Sequence, residues 1–131
     1  MKSSISACGR PCISVVDDDV SVREAIESLL KSSGYPVKLF ASGEEFLSYC
    51  CLQDTACLIV DMRMGGMSGL ELQDELCARK SAIPIVFITA HDDEYVRARA
   101  LSAGAVDVLI KPFSEDALLN CIHSVLEHDG N

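Results

Sequence analysis

Five short runs of apolar residues recur along the chain, and a segment with helical periodicity follows each of them. The runs show almost no alternation with polar residues, which is typical of strands that are covered on both faces of a sheet. Short apolar strands that alternate with helices predict a parallel sheet with right-handed crossovers. The predicted strands are Ile13–Val16, Val37–Phe40, Cys57–Val60, Ile85–Ile88 and Val106–Ile110.

The segments that follow these strands carry helix start and stop signals. Ser42 with Glu45, and Ser68 with Glu71, have the spacing of capping boxes, which open the second and third helices. Glycines end the first and fourth helices, and a serine caps the last one. The first predicted helix carries Val22–Leu30 and ends before Gly34, and the second runs from Ser42 through Tyr49. The third carries Leu72 and Leu76. The fourth spans Tyr95–Ala103 before Gly104, and the fifth carries Leu118–Val125 after Ser114.

Five strand–helix units in 131 residues fit an α/β fold with an open, doubly wound sheet, whereas a barrel of eight such units needs a longer chain. The expected architecture is flavodoxin-like, a five-stranded parallel sheet of order 2-1-3-4-5 with five helices. In this order the winding reverses between the first and third strands. Ligands of such sheets bind at the carboxyl ends of the strands beside that switch point.

The composition fits one globular domain with an acidic surface. Hydrophobic residues make up 49% and charged residues 24% of the chain, which argues against a disordered protein. Eleven Lys and Arg residues against 20 Asp and Glu residues give a net charge of −9. Such a surface repels phosphate backbones and anionic lipids, which excludes binding of nucleic acid by bulk charge. A cation is compatible with this charge.

The apolar runs and the cysteines narrow the class further. No run reaches the length of a membrane span, and residues 1–12 lack the apolar stretch of a signal peptide, so a cytoplasmic protein is expected. None of the seven cysteines forms a C-x-x-C pair, which argues against a zinc site and a disulfide framework. Cys57 and Cys121 lie in apolar runs and are interpreted as small core residues.

Chemically active side chains follow four of the five predicted strands. Asp17–Asp19 follows the first strand, Asp61 the third, Thr89 the fourth and Lys111 the fifth. Three or more carboxylates at the switch point repel one another unless a cation lies among them, and oxygen ligands suit Mg²⁺. A lysine and a hydroxyl group are residues that bind phosphoryl oxygens. The pattern therefore indicates Mg²⁺-assisted phosphoryl chemistry at a carboxylate.

Each of these residues also has a purely structural interpretation. Asp19 has the position of a helix cap, Asp61 of a turn residue, Thr89 of a β-branched strand end and Lys111 of a solvated charge beside a turn. The three histidines are interpreted as surface residues, without the arrangement of a catalytic triad. The agreement of four strand ends favours the chemical interpretation for the set, whereas Asp19 by itself is predicted to be a helix cap.

Four stretches of the chain resemble the receiver domain of bacterial two-component response regulators, the CheY-like family. The resemblance runs from Ile13 to Leu126, and its order and spacing fit the family throughout. It is greatest for receivers of regulators with a helix-turn-helix output of the nitrogen-fixation and nitrate-response type. The matching stretches are VVDDD (15–19), LIVDMRMGGMSGLEL (58–72), IVFITAHDD (85–93) and GAVDVLIKPF (104–113).

The resemblance implies a phosphorylation site and a metal site at the switch point. Asp61 matches the phospho-acceptor that takes a phosphoryl group from a sensor histidine kinase. Asp17 and Asp18 match the family's acidic pair, in which Asp18 ligates Mg²⁺ directly and Asp17 mainly through water. The backbone carbonyl of Arg63 matches a further metal ligand. The implied product is an aspartyl phosphate, formed by a carboxylate nucleophile.

The resemblance also implies how phosphorylation is transmitted. Thr89 matches the hydroxyl that turns toward the phosphoryl group, and Lys111 matches the lysine that pairs with the acceptor and then with the phosphate. The bond from Lys111 to Pro112 is cis in the family. The family's usual output surface is formed by the fourth helix, the fifth strand and the fifth helix. Homodimerisation through that surface is expected, and control of transcription is the expected output.

Two positions depart from the family pattern. Val108 occupies the place of an aromatic residue that swings inward when the hydroxyl moves. Either the coupling proceeds without an aromatic rotamer, or the output differs from the usual one. Tyr95, at the start of the fourth helix, is a candidate substitute for the missing aromatic residue. Gly65 stands where the family generally has proline in the loop after the acceptor, and a more mobile loop with altered metal affinity or phosphoryl lifetime is expected.

Three other functions compete with a phosphorylatable switch. A degenerate receiver that switches by protein contact has Val108 in its favour and all five site residues against it. An aspartyl phosphatase usually needs a second acid two residues after the nucleophile, where this chain has Arg63. A flavodoxin is disfavoured because Asp17–Asp19 would repel the flavin phosphate. The first interpretation, a switch and not a turnover enzyme, is preferred.

The expected domain organisation is simple. Residues 13–127 form the receiver domain, residues 1–12 a disordered N-terminal extension, and residues 128–131 a tail or the start of a linker. Because an acidic receiver does not bind DNA itself, contact with DNA requires a separate output domain. No membrane partner is expected.

Overall fold

A computed structural model describes residues 12–49 and 54–129, without the side chains of residues 127–129. It contains one parallel sheet of order β2-β1-β3-β4-β5, as the sequence predicts. The predictions for residues 1–11 and for the tail at 130–131 lie outside the described residues. The elements are β1 (Cys12–Val16), α1 (Val20–Ser32), β2 (Val37–Phe40), α2 (Gly43–Leu47), β3 (Thr55–Asp61), α3 (Gly69–Ala78), β4 (Ile85–Thr89), α4 (Glu94–Ser102), β5 (Asp107–Ile110) and α5 (Glu115–Asp129).

Two apolar layers cover the central strands β1, β3 and β4, in which every residue is buried. Alternate residues of each strand enter opposite layers, since successive side chains of a strand point to opposite faces. Side chains from α1 and α5 fill one layer, and side chains from α2, α3 and α4 fill the other. The first layer includes Ile13, Ile26, Leu30, Ile59, Leu118 and Ile122, and the second includes Val16, Phe46, Val60, Leu72, Phe87 and Ala100.

Several element boundaries differ from those that the pattern predicts. β1 starts one residue early, at the buried Cys12, and β3 starts two residues early, at Thr55. The two strand starts are paired, and a hydrogen bond of 2.8 Å joins the hydroxyl groups of Ser14 and Thr55. This buried polar pair extends the sheet where a purely apolar criterion ends it. At the other end of the chain, α5 runs from Glu115 to Asp129.

The second helix is shorter than predicted and its cap is only half of a capping box. α2 ends at Leu47 instead of Tyr49. The Ser42 hydroxyl accepts from the Glu45 N–H at 3.1 Å, but the Glu45 carboxylate accepts from the N–H of Ala41 at 2.9 Å. In α3, by contrast, both hydrogen bonds of the Ser68–Glu71 capping box are present.

The prediction that Cys57 and Cys121 are small core residues is confirmed for Cys57 and only partly for Cys121. Cys57 is fully buried in the layer that faces α1 and α5. Cys121 is only half-buried, and its thiol lies 3.5 Å from a carboxylate oxygen of Asp107. In the described ranges, no helix has the length and apolar character needed to cross a membrane.

A buried amide joins the third helix to the fourth. Gln73 is buried, and its Nε2 donates a hydrogen bond of 3.0 Å to the carbonyl of Ala100, which is also buried. The same carbonyl accepts from the N–H of Ala105 at 3.0 Å, so loss of the Gln73 donor alone leaves it paired. The volume of the Gln73 side chain is therefore expected to contribute more to stability than its hydrogen bond.

Gln73→Ala is expected to lower the free energy of unfolding by about 2 kcal/mol, because it leaves a cavity between α3 and α4. Gln73→Leu retains most of the volume and is expected to cost less than half as much. Urea denaturation followed by circular dichroism measures both. Equal losses in the two variants would assign the stabilisation to the hydrogen bond and contradict this prediction.

Candidate functional site

The carboxylates that the strand ends predicted lie together at the carboxyl edge of the sheet. Asp17 and Asp18 follow β1, and Asp61 is the last residue of the neighbouring β3. The two strands pair in parallel with Val16 opposite Val60, so the next residues of both strands lie side by side. One oxygen of each of the three carboxylates lies within 4.8 Å of the others.

Asp17 is the most enclosed member of this cluster. Its Oδ1 accepts from the N–H of Asp19 at 2.9 Å, and its backbone carbonyl accepts from Nη1 of Arg23 at 2.6 Å. Its Oδ2 is buried and accepts no hydrogen bond. A buried carboxylate oxygen without a donor is costly unless a cation compensates it. The three carboxylates therefore fit a hard divalent cation such as Mg²⁺.

Lys111 supplies a positive charge beside the cluster. It follows β5, and its Nζ lies 3.7 Å from Oδ2 of Asp17 and 3.9 Å from Oδ1 of Asp61. Both distances exceed those of a hydrogen bond but permit a strong electrostatic attraction. The peptide bond between Lys111 and Pro112 is cis.

Burial raises the pKa values of two carboxyl groups in the cluster. The pKa of Asp61 rises to about 6, first because the group is desolvated and then because Asp17 is negatively charged, and Lys111 opposes the rise. The backbone N–H of Arg63 also donates to Asp61 and lowers its pKa. The pKa of Asp17 is raised mainly by burial, with the N–H of Asp19 and then Lys111 acting against it. The site thus concentrates negative charge that one lysine only partly offsets.

Of the residues predicted to take part in switching, Thr89 and Val108 are buried and Tyr95 is exposed. The buried Thr89 hydroxyl accepts from the N–H of His91 at 3.1 Å and lies 3.3 Å from the carbonyl of the same residue. Val108 is buried in β5 opposite Phe87. Tyr95, the candidate substitute for an aromatic residue at that position, is 77% exposed at the start of α4.

Asp19 is a helix cap, as its position in the sequence predicts. It is the N-cap of α1, and its carboxylate accepts from the N–H of Ser21 at 2.9 Å. It is not part of the cluster of carboxylates that lie close enough to share a metal ion. Asp93 caps α4 in the same way, by accepting from two backbone N–H groups.

Three contacts of the site were missed in the sequence. The guanidinium of Arg23 donates to the backbone carbonyl of Asp17, directly after β1. The position of Arg23 one turn into α1 is the feature of the sequence that could have predicted this contact. The N–H of Gly65 donates to Oδ2 of Asp18 at 3.1 Å. Gly69 lies against the backbone at Asp61, where an added Cβ would stand 2.7 Å from the Asp61 carbonyl oxygen. A glycine at the first position of a helix, directly after the cap Ser68, was the available signal for this close approach.

Comparison with known proteins adds an independent observation. A family model described as the response regulator receiver domain matches residues 13–123. Nodulation protein W from Bradyrhizobium diazoefficiens is 40% identical over 123 residues, which are 94% of this chain and 54% of that protein. Transcriptional regulatory protein FixJ from the same organism is 38% identical over 114 residues, which are 87% of this chain and 56% of that protein.

Solved structures agree with the sequence comparison. The structure of the response regulator StyR matches with a TM-score of 0.85 and 48% identity, and covers 92% of this chain and 61% of that one. The chain spans about half the length of the curated relatives it matches. Because the family model covers most of the chain, this protein belongs to the response regulator receiver domain family, a family of signalling domains.

Proposed function

We propose that this chain is a phosphorylation-dependent switch in which Asp61 accepts a phosphoryl group from a sensor histidine kinase. The convergence of Asp17, Asp18 and Asp61 beside Lys111 is the observation that carries this proposal. In the transfer, a carboxylate oxygen of Asp61 attacks the phosphorus of the phosphohistidine. The new P–O bond forms as the P–N bond breaks, and the imidazole nitrogen leaves with the electron pair.

Mg²⁺ is the proposed cofactor, held by Asp17, Asp18, Asp61 and the backbone carbonyl of Arg63. When bound, it supplies charge neutralisation for the carboxylates and the phosphoryl oxygens. The buried Oδ2 of Asp17, which accepts no hydrogen bond, supports a cation at this place. As the resemblance to the family implies, Asp18 would ligate the ion directly and Asp17 mainly through water.

Lys111 and Thr89 are the residues proposed to respond to the phosphoryl group. The ammonium of Lys111 lies 3.7 Å from an oxygen of Asp17 and 3.9 Å from an oxygen of Asp61, so it is near enough to pair with a phosphoryl oxygen on Asp61. The Thr89 hydroxyl is engaged with the backbone of His91, so it must exchange that contact for one with the phosphate. The exchange would move the loop that leads into α4.

The proposed output surface comprises α4, β5 and α5. Phosphorylation adds nearly two negative charges at the strand ends, and the Thr89 loop transmits the change to α4. Because Val108 is already packed in the core, we propose that the coupling proceeds through the loop without an aromatic rotamer. Phosphotransfer and dephosphorylation are then self-catalysed steps of a switch.

The length and the names of the relatives indicate the kind of protein in which this domain acts. The relatives are about twice as long as the matched region, and one of them is named a transcriptional regulatory protein. We propose that residues 13–127 act as the receiver of a transcription regulator, and that any contact with DNA is made by a separate output domain. Homodimerisation through α4, β5 and α5 and a cytoplasmic location complete the proposal.

The proposal predicts that acetyl phosphate adds one phosphoryl group to the protein in the presence of Mg²⁺. Intact mass spectrometry is the suitable measurement, since the chain has no tryptophan to report on the site. Asp61→Asn, and wild-type protein in EDTA, are expected to remain unmodified. Absence of the adduct at saturating donor, under conditions in which acyl phosphates survive, would contradict the proposal. A degenerate receiver that switches by protein contact would then be preferred.

A further inference from the structure

A backbone hydrogen bond joins the two loops that carry the acidic cluster. The N–H of Gly65, in the loop after β3, donates to Oδ2 of Asp18, in the loop after β1, at 3.1 Å. The two residues are 47 positions apart, so only the fold brings them together. Asp18 is exposed, unlike Asp17 and Asp61, and its carboxylate gains orientation from this contact.

The contact depends on the N–H at position 65 and not on the absence of a side chain there. Gly65 does not have the left-handed backbone that glycine favours, which among the described glycines occurs at Gly34 and Gly104. A Cβ added at Gly65 would lie 3.8 Å from Oδ2 of Asp18, an ordinary van der Waals distance. Alanine therefore fits and keeps the donor, whereas proline has no N–H.

We propose that the Gly65 N–H is a positioning donor that orients Asp18 for divalent cation binding. This inference rests on the proposed metal site. An exposed carboxylate loses rotational freedom when it binds a cation, and a side chain that is already oriented loses less. The donor also offsets part of the repulsion between Asp18 and the carboxylates of Asp17 and Asp61. The second carboxylate oxygen of Asp18 and the remaining lone pairs of its Oδ2 stay free for ligation.

The matched variants are Gly65→Pro, which removes the donor, and Gly65→Ala, which retains it. Titration of the metal-free, ¹⁵N-labelled proteins with MgCl₂ at constant ionic strength gives each dissociation constant. Gly65→Pro is expected to bind Mg²⁺ roughly three- to tenfold more weakly than wild type, the range for loss of one hydrogen bond to a partly solvated charged group. Gly65→Ala is expected to bind within about twofold of wild type.

The possible results separate this inference from the proposed function. If wild type binds no Mg²⁺, both are overturned. If wild type binds but Gly65→Pro binds equally well or more tightly, only the inference is overturned. Equal weakening in Gly65→Pro and Gly65→Ala would assign the effect to the shape of the loop and would also overturn it.

Amide exchange in the native chain provides a second test that does not depend on the folding of the proline variant. In metal-free wild type, the Gly65 N–H is expected to exchange with solvent more slowly than in Asp18→Ala, which lacks the acceptor. The N–H of Val108, which donates to its neighbour Asp107, serves as a reference outside the site and is expected to be unchanged. Equal exchange of Gly65 in wild type and Asp18→Ala would overturn the inference.

Discussion

The metal-free protein is expected to lose roughly 2 kcal/mol of stability as the pH rises from 3.8 to about 6, the ordinary and raised pKa values of Asp61. Within this range the native state binds a proton that the unfolded chain has released. The free energy of unfolding therefore falls with increasing pH and levels off above the raised pKa. Asp17, whose pKa is raised mainly by burial, contributes with the same sign. Urea denaturation in EDTA at a series of pH values measures the effect.

Asp61→Asn isolates the contribution of this carboxyl group. The variant is expected to be more stable than wild type by roughly 1–2 kcal/mol near neutral pH in EDTA, and equal to it at acidic pH, where Asp61 is protonated. Glu24→Gln, on the exposed surface of α1, removes the same charge and is expected to change little. Mg²⁺ is expected to stabilise wild type by mass action and so to reduce the difference in stability between wild type and Asp61→Asn. If Asp61→Asn is no more stable than Glu24→Gln near neutral pH, the raised pKa is contradicted.

Gly69→Ala is expected to destabilise the protein by about 2 kcal/mol and to slow phosphorylation of Asp61. The added Cβ would stand 2.7 Å from the Asp61 carbonyl oxygen, 2.9 Å from Cε1 of Phe87 and 3.0 Å from Cα of Met62. Two of these atoms belong to the backbone of Asp61 and Met62, at the proposed phospho-acceptor, so relief of the overlap must move the site itself. The better helix propensity of alanine offsets only part of the loss, about 1 kcal/mol.

Gly43→Ala is the matched control for this prediction. Gly43 also begins a helix and is buried, but the atom that a Cβ would meet at 3.0 Å is the sulfur of Met67, which lies near the end of a flexible side chain. The expected loss of stability is below about 1 kcal/mol. Urea denaturation and the rate of acetyl phosphate labelling compare the two variants. Equal losses of stability, or an unchanged labelling rate in Gly69→Ala, would contradict the role assigned to Gly69.

Much of the fold follows from the sequence because burial on both faces of a parallel sheet leaves a local signature. The apolar runs at 13–16, 57–60 and 85–88 coincide with fully buried strands. Two of the errors occur where polar atoms contribute to sheet or cap formation. Thr55 extends β3 through its contact with Ser14, and the Glu45 carboxylate accepts from the N–H of Ala41 instead of the N–H of Ser42. Hydrophobic periodicity contains no information about such hydrogen bonds.

Part of the site is predictable for the same reason. The residues that follow the strands are adjacent in sequence to recognisable elements, and the strand order brings Asp17, Asp18, Asp61 and Lys111 together. The chain segments themselves do not indicate which carboxylate is buried or which oxygen lacks a donor. The enclosure of Asp17 and the exposure of Asp18 arise from packing around the edge of the sheet.

The alternation of strands and helices and the residue types at the strand ends follow from the sequence alone, since both are properties of short segments. Three features of the site arise only in the folded chain: the contact from Gly65 to Asp18, the approach of Gly69 to Asp61, and the raised pKa of Asp61. The first and the third depend on residues that lie far apart along the chain, and the second depends on the path of the loop from β3 to α3, which brings Gly69 back to Asp61. Desolvation and electrostatic repulsion act through distances in space, which only the folded chain defines.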